Sequence, residues 1–499
     1  MRMAWARTAQ ERTVAHEAPQ RRVIHPFAGR AVGVIAALVA VAHLVAAVAG
    51  GRGYWFDEMY MLAVGRNHLD WGSADQPPVA PLIAWTADAV APGSIVALRL
   101  PAIVATVAAV VVVALIAREL GGDGRAQWIA AAAQATSVSA ALFGHWLTPY
   151  ALEPVQWLVL LWLLVRWVRV RHDRLLLLAG LVVGIAAETK FQVALLCAGV
   201  VIGLVMCGPR QIFGRPLLWV GAVVAALLAV PTLIWQAAHG WPQWAMSEVV
   251  VAEMEVLYGG RLGASLQMLL WAGVLGTLLM AYGLWCLLRA EELRPYRFVA
   301  VAFLVVLMVF VLTGSRPYYL AGFHGALVAA GTVGFQLRRE GGVGRWGAAV
   351  WPGLALGVVL TALVLSVSVP ISNSDVGERI AASTAGAYGD LSAGEQRRTV
   401  LFGKSYILAA YLDGYSEHFD LPPAHSPNRA YGYFPLPDES STDVLFTGTD
   451  PSDLEPYFTD VREVRGPVGD DIDARVWLLT GRTTGWNEIW QEIRTLDVA

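Results

Sequence analysis

Apolar residues in this chain gather into long runs instead of alternating with polar ones. The runs fall at about 31–50, 95–117, 126–146, 154–168, 174–188, 191–207, 216–238, 265–288, 298–313, 317–336 and 346–370. At ~1.5 Å of rise per residue most of them approach the ~30 Å of a hydrocarbon core. Helices satisfy their own backbone groups in lipid, so the pattern predicts about eleven transmembrane helices. Past residue 370 the pattern changes. Residues 399–402, 443–446 and 475–479 read as buried strands, and 407–412, 451–458 and 486–493 as helices. That alternation predicts a small α/β domain with a parallel or mixed sheet. The Pro-, Gly- and Asn-rich stretch from Leu421 to Pro437 reads as a loop able to fold back over the membrane face. The expected layout is a cytoplasmic segment 1–30, a membrane domain 31–370 with a first outer loop 51–94, and an extracytoplasmic domain 371–499.

Composition and charge sharpen this picture. The chain is 56% hydrophobic and only 15% charged, which fits a polytopic membrane protein. Residues 371–499 hold 21 acids and 10 bases, whereas the first 370 hold 18 acids and 26 bases. Placing the N-terminus in the cytoplasm puts 20 of those 26 bases on the inner side, leaving Arg52, Arg66, Arg99, Lys190, Arg261 and Arg316 outside. An odd number of spans then sets the acidic tail outside the cell membrane. The bases are scattered over short loops, so nothing resembles a nucleic-acid footprint. The first run is longer than the apolar core of a signal peptide and reads as a retained anchor. Cys197, Cys207 and Cys286 all lie in apolar runs and imply no disulfide framework.

The candidate chemistry collects at one rim. Asp57 and Glu58 follow the first span directly, and adjacent buried acids repel each other. They are kept either because chemistry uses them or because they are simply wet. The same topology brings Asp75, Gln76, Glu153, Lys190, His239 and Arg316 to the outer face, while the midplane stretches carry almost no charge. A transporter more often places its ionisable groups near the midplane. Lys190, one of two lysines in the chain, suits a phosphate, or else snorkels or pairs with Glu188. Arg316 with Tyr318 reads as a phosphate grip or as an interfacial anchor. Asp57, Glu153 and His145 are a candidate set for a divalent metal by ligand type, without the spacing of a known metal motif.

The first outer loop carries a resemblance. Phe56-Asp57-Glu58, then His68-Leu69-Asp70-Trp71-Gly72, then Asp75-Gln76-Pro77-Pro78 resembles glycosyltransferase family 39 of the GT-C superfamily, in particular its bacterial, actinobacterial-type members. That family includes protein O-mannosyltransferases and the lipid A aminoarabinose transferase. Thr189-Lys190-Phe191, His239-Gly240-Trp241-Pro242 and Arg316-Pro317-Tyr318-Tyr319 agree in order. The resemblance implies a GT-C fold, a sugar on a polyprenyl phosphate as donor, an extracytoplasmic acceptor and inverting transfer. It makes Asp57 the catalytic base, and sets Glu58, Asp75, Gln76, Glu153, Lys190, His239, Arg316 and Tyr318 around the substrates. Two departures stand out: Gln76 where many members carry His, and Glu153 beside Tyr150 where many carry Asp. A flippase for a lipid-linked sugar and a non-catalytic envelope scaffold are the rival readings.

Overall fold

The apolar runs form helices of unequal length in the computed structural model, which describes residues 24–49, 51, 53–342, 347–468 and 473–497. Most of the N-terminal segment, Arg52 and Arg345 lie outside the described residues. The helices run α1 (Gly29–Val48), α2 (Phe56–Asn67), α3 (Val79–Val90), α4 (Ile95–Glu119), α5 (Gly124–Ala135), α6 (Val138–Phe143), α7 (Pro149–Val170) and α8 (Arg174–Ala187). They continue with α9 (Val193–Cys207), α10 (Pro216–Ala238), α11 (Pro242–Tyr258), α12 (Gly260–Leu270), α13 (Val274–Arg289), α14 (Arg297–Thr313), α15 (Ala321–Glu340) and α16 (Gly347–Ser372). Among the described residues, seven helical stretches are long and apolar enough to cross a membrane. An eighth joins α12 and α13, which meet at 91°.

Three predicted spans fall short, each for a local reason. The run at 126–146 contains Thr136-Ser137. Thr136 turns its hydroxyl back onto Ala132 O at 3.0 Å, and the Ser137 hydroxyl accepts Ala140 N–H at 3.2 Å, so α5 ends and α6 begins. Glu188, Thr189 and Lys190 separate α8 from α9. These helices have 14 and 15 residues, roughly 21–23 Å at ~1.5 Å per residue.

The centre of the bundle is α15, buried nearly all round, with α4, α5, α7 and α13 against it. Close approach needs small residues. A Cβ on Gly283 would sit 1.9 Å from Leu327 O, and one on Gly331 2.1 Å from Leu279 O, so α13 and α15 touch backbone to backbone.

The C-terminal sheet domain, called the outer domain after the side on which the sequence is expected to place it, begins with α17 (Val376–Gly389) and α18 (Ala393–Gln396). It continues with β1 (Thr399–Gly403), α19 (Tyr406–Gly414), α20 (Ser416–Phe419), β2 (Ala424–His425), β3 (Asp443–Gly448), β4 (Phe458–Arg465), β5 (Arg475–Arg482) and α21 (Trp486–Ile493). The sheet order is β2-β1-β3-β5-β4, parallel through β2, β1 and β3 and antiparallel beyond. The expected mixed sheet is present. The helix expected at 451–458 is instead a single 3₁₀ turn at Glu455–Tyr457 leading into β4. Pro456 stops a longer helix, and the Thr-Asp-Val-Arg-Glu-Val-Arg stretch after it makes an exposed edge strand.

This domain is not tethered loosely. Its α19 lies along α2 of the first outer loop, where residues Met59 to Val64 are at most 3% exposed. Gly414 admits the Met59 sulfur, which a Cβ would meet at 1.8 Å, and Arg66 Nη1 donates to Gly414 O at 2.9 Å. The helix that carries Asp57 is therefore held between bundle and outer domain.

Candidate active site

Asp57 and Glu58 occupy the first turn of α2, where unpaired N–H groups favour carboxylates. Successive residues of a helix point ~100° apart, so the two acids part company. Glu58 turns inward. Its Oε2 accepts Trp55 N–H at 3.1 Å and lies 2.6 Å from Arg99 Nη2, with both side chains fully buried. Arg99 spends its remaining donors on Ala47 O at 2.8 Å, Asn373 Oδ1 at 2.5 Å and Ser372 O at 3.1 Å. The pair thus pins the ends of α1 and α16 to the start of α2. Glu58 is held by Arg99 and does not line the cavity that Asp57 faces, so it stands apart from the substrate-binding residues it was expected to join. Glu58→Gln leaves Arg99 buried without a counter-charge and is expected to cost about 3–5 kcal/mol of stability. An unchanged melting temperature in detergent contradicts this.

Asp57 turns outward, into a cavity of about 480 Å³ whose lining includes Asp75, Gln76, Lys190, Arg316, Tyr318 and Arg429. Its Oδ2 accepts the Tyr150 hydroxyl at 2.6 Å. Burial raises the Asp57 carboxyl above the usual range; the Tyr150 bond and the charges of Arg316 and Arg429 pull it back without cancelling the shift. Tyr150→Phe removes one of those opposing effects. It is expected to move the acidic limb of the pH–rate profile to higher pH, and an unmoved limb counts against the contact. Asp75 accepts from Tyr60 Oη at 3.0 Å and Ser73 Oγ at 3.2 Å, and is likewise raised by burial, against the pull of Arg429.

Cations line the same cavity. Lys190, in the α8–α9 turn, places Nζ 4.2 Å from the Tyr319 ring centre and 5.5 Å from that of Tyr318. Arg316 Nη1 donates to Tyr318 Oη at 2.8 Å, and Nη2 pairs with Glu253 of α11. Glu253 also pairs with Arg429, whose guanidinium lies 4.8 Å over the Tyr406 ring. Arg429 comes from the outer domain, on the loop that the composition marked as able to fold back.

The remaining expected site residues stand elsewhere. Glu153, 4% exposed on α7, faces Gln192, whose amide nitrogen, in the orientation that satisfies both groups, lies 3.1 Å and 3.2 Å from the carboxylate oxygens. It backs the Lys190 turn and does not line the cavity. His239 ends α10, with Nδ1 2.8 Å from Trp235 O and its ring stacked 4.0 Å from the Trp235 ring. His145 is buried against His43, Nδ1 to Nδ1 at 3.2 Å. Asp57, Glu153 and His145 therefore do not converge, and among the described residues no three His, Cys, Asp or Glu side chains are grouped to hold a metal. Sequence reasoning missed Arg429, Glu253 and the role of Tyr150. Arg429 alone left a signal, as the one base in a loop already suspected of folding back.

The dolichyl-phosphate-mannose-protein mannosyltransferase family model matches residues 75–235, a segment that holds Asp75, Gln76, Glu153 and Lys190. ArnT from Cupriavidus metallidurans in the apo state superposes with a TM-score of 0.64 at 14% identity, covering 89% of this chain and 97% of that one. The same protein bound to undecaprenyl phosphate gives 0.60 at 15% identity, covering 90% and 98%. The chain has the fold of ArnT. The fold expected from the first outer loop is thus the fold found, over 89% of the chain. No curated protein sequence matches this chain. The many apolar helices and this fold make the chain a multi-pass membrane protein.

Proposed function

We propose that this protein moves a sugar, mannose or another hexose or pentose, from a polyprenyl-phosphate donor to an acceptor on the extracytoplasmic side, with inversion. The acceptor is a protein, a glycolipid or a cell-wall glycan. One observation carries the reading: a single cavity joins a partly buried carboxylate, Asp57, to three cations, Lys190, Arg316 and Arg429. In an inverting transfer the acceptor oxygen attacks the anomeric carbon while the bond from that carbon to the phosphate oxygen breaks. Asp57 takes the acceptor's proton, and the cations stabilise the departing phosphate. Undecaprenyl phosphate bound to the ArnT of similar fold supports a lipid phosphate as leaving group. The excess of bases on the inner loops supports an outward-facing site.

Purified protein given a polyprenyl-phosphate sugar and candidate acceptors is expected to release free polyprenyl phosphate together with glycosylated acceptor. A flippase moves the intact donor across a vesicle membrane and releases nothing. A scaffold does neither, and its phenotype ignores Asp57.

A further inference from the structure

The cavity has a second wall that the phosphate and the base do not use. It is built from the first outer loop and from the end of α10 and start of α11. Gln76 is 6% exposed, lines the cavity, and its Nε2 has no partner. Gln236 is fully buried and fixed at both ends: Nε2 donates to Ser73 O at 2.8 Å, and Oε1 accepts Gln243 N–H at 3.2 Å. Gln243 reaches the same Ser73 carbonyl at 3.4 Å and also faces the cavity. Three amides thus share one rigid rack, one with an unspent donor.

Trp241 stands beside them in an unusual backbone state. Its φ of 58° and ψ of 51° are left-handed, in a bulky residue directly before Pro242. Its N–H is held by Gln236 O at 2.8 Å. The indole is 50% exposed and lines the cavity, so packing does not explain why a strained turn presents it. None of Gln76, Gln236, Gln243 and Trp241 carries a charge; Asp75, next to Gln76, is taken up by the Tyr60 and Ser73 hydroxyls.

We propose that this amide-and-indole wall is the subsite for the uncharged sugar ring of the donor; the proposal rests on the reading of the site as one for a lipid-linked sugar. A pyranose or furanose carries hydroxyls at its edge and C–H bonds on its faces. A primary amide offers both a donor and an acceptor to a hydroxyl, which is itself both. A flat indole covers a C–H face. In a glycosyl phosphate the sugar is bonded to the phosphate oxygen, so its subsite must share the cavity of Lys190 and Arg316. The four uncharged side chains of the wall suit neutral hexoses or pentoses better than amino sugars or uronic acids.

The test compares ligands with and without the sugar. Purified protein in nanodiscs is titrated with undecaprenyl phosphate, undecaprenyl-phosphoryl mannose and undecaprenyl-phosphoryl arabinose. The wild type is expected to bind at least one sugar ester more tightly than the bare lipid. Gln76→Leu and Trp241→Gly are expected to weaken that ester about fivefold to tenfold each, the worth of one neutral hydrogen bond or a comparable contact, and to leave the bare lipid within about twofold. Glycine accepts the left-handed turn without strain, so Trp241→Gly keeps its melting temperature. A wild type that binds every ester no better than the bare lipid overturns the proposal. So do variants that weaken all ligands equally, or that move only the acceptor KM. Release of polyprenyl phosphate is scored separately: sugar-dependent affinity without release sinks the catalytic reading and leaves the subsite standing.

Discussion

Replacing Asp57 with Asn is expected to lower sugar transfer by about 10²- to 10⁴-fold, the usual worth of a positioned base, while the protein folds at least as well as the wild type. The substitution keeps the shape of the side chain and its capacity to accept the Tyr150 hydroxyl 2.6 Å away. It removes only the charge and the ability to take a proton. The stability side has a definite sign. Burial raises the Asp57 carboxyl in the folded state. A carboxyl raised on folding holds its proton more tightly in the native protein, so its stabilising effect is complete below the unfolded pKa of ~3.9 and is lost as pH rises through the higher folded value. At neutral pH the ionised aspartate therefore opposes folding, and the neutral amide does not. The same shift places the acidic limb of kcat/KM above the ordinary carboxylate range, and that limb vanishes from the residual activity of Asp57→Asn. Two measurements decide the matter: release of polyprenyl phosphate across pH, and the melting temperature at neutral pH. A variant that stays active removes Asp57 from the chemistry. A variant that is inactive because it melts early returns it to a structural role.

How far this site was legible in the sequence depends on the range over which each residue acts. The runs that became α1, α4, α7, α10, α14, α15 and α16 were plain, because lipid demands long uninterrupted apolar helices. Strands β1, β3 and β5 were legible because all lie inside the sheet and carry an unbroken apolar run of three or four residues. Edge strand β4 was not, since its exposed face mixes charges as a surface helix does. The parting of Asp57 from Glu58 was readable in principle from helix geometry, but which of them turned inward depended on Arg99, 41 residues further on. Lys190 and Arg316 were legible as isolated charges at apolar boundaries. Glu253 was not, because Glu248 and Glu255 sit near it with nothing in sequence to choose among them. His145, a candidate metal ligand by residue type, instead faces His43, which α1 supplies from 102 positions away.

Arg429→Ala is the second change with a large expected effect, because it asks whether the outer domain belongs to the active site. The residue lies some 240 positions after Lys190, in a different domain, with its side chain 7% exposed in the shared cavity. Its left-handed φ of 49° is uncommon for a residue with a Cβ, and the Arg429 N–H to Thr495 O bond of 2.9 Å holds the turn. Alanine removes a guanidinium that serves Glu253, the face of Tyr406 and the charge of Asp75. A hydrogen bond to a charged group contributes about 1.5–3 kcal/mol, so transfer is expected to fall roughly 10- to 100-fold, more in kcat than in donor KM if Arg429 meets the departing phosphate. Arg429→Lys restores the charge but not the planar two-point grip, and is expected to recover only part of the loss. A structural role predicts the opposite pattern, in which melting temperature falls with activity and lysine, having no fork to place, rescues neither. If both variants transfer sugar as the wild type does, the outer domain covers the cavity without taking part in the reaction, and the positive side of the site reduces to Lys190 and Arg316. If Arg429→Ala is slow yet stable, a domain distant in sequence completes the phosphate site, and the contact of α19 with α2 becomes a requirement for catalysis, since it carries the Arg429 loop to the helix of the base.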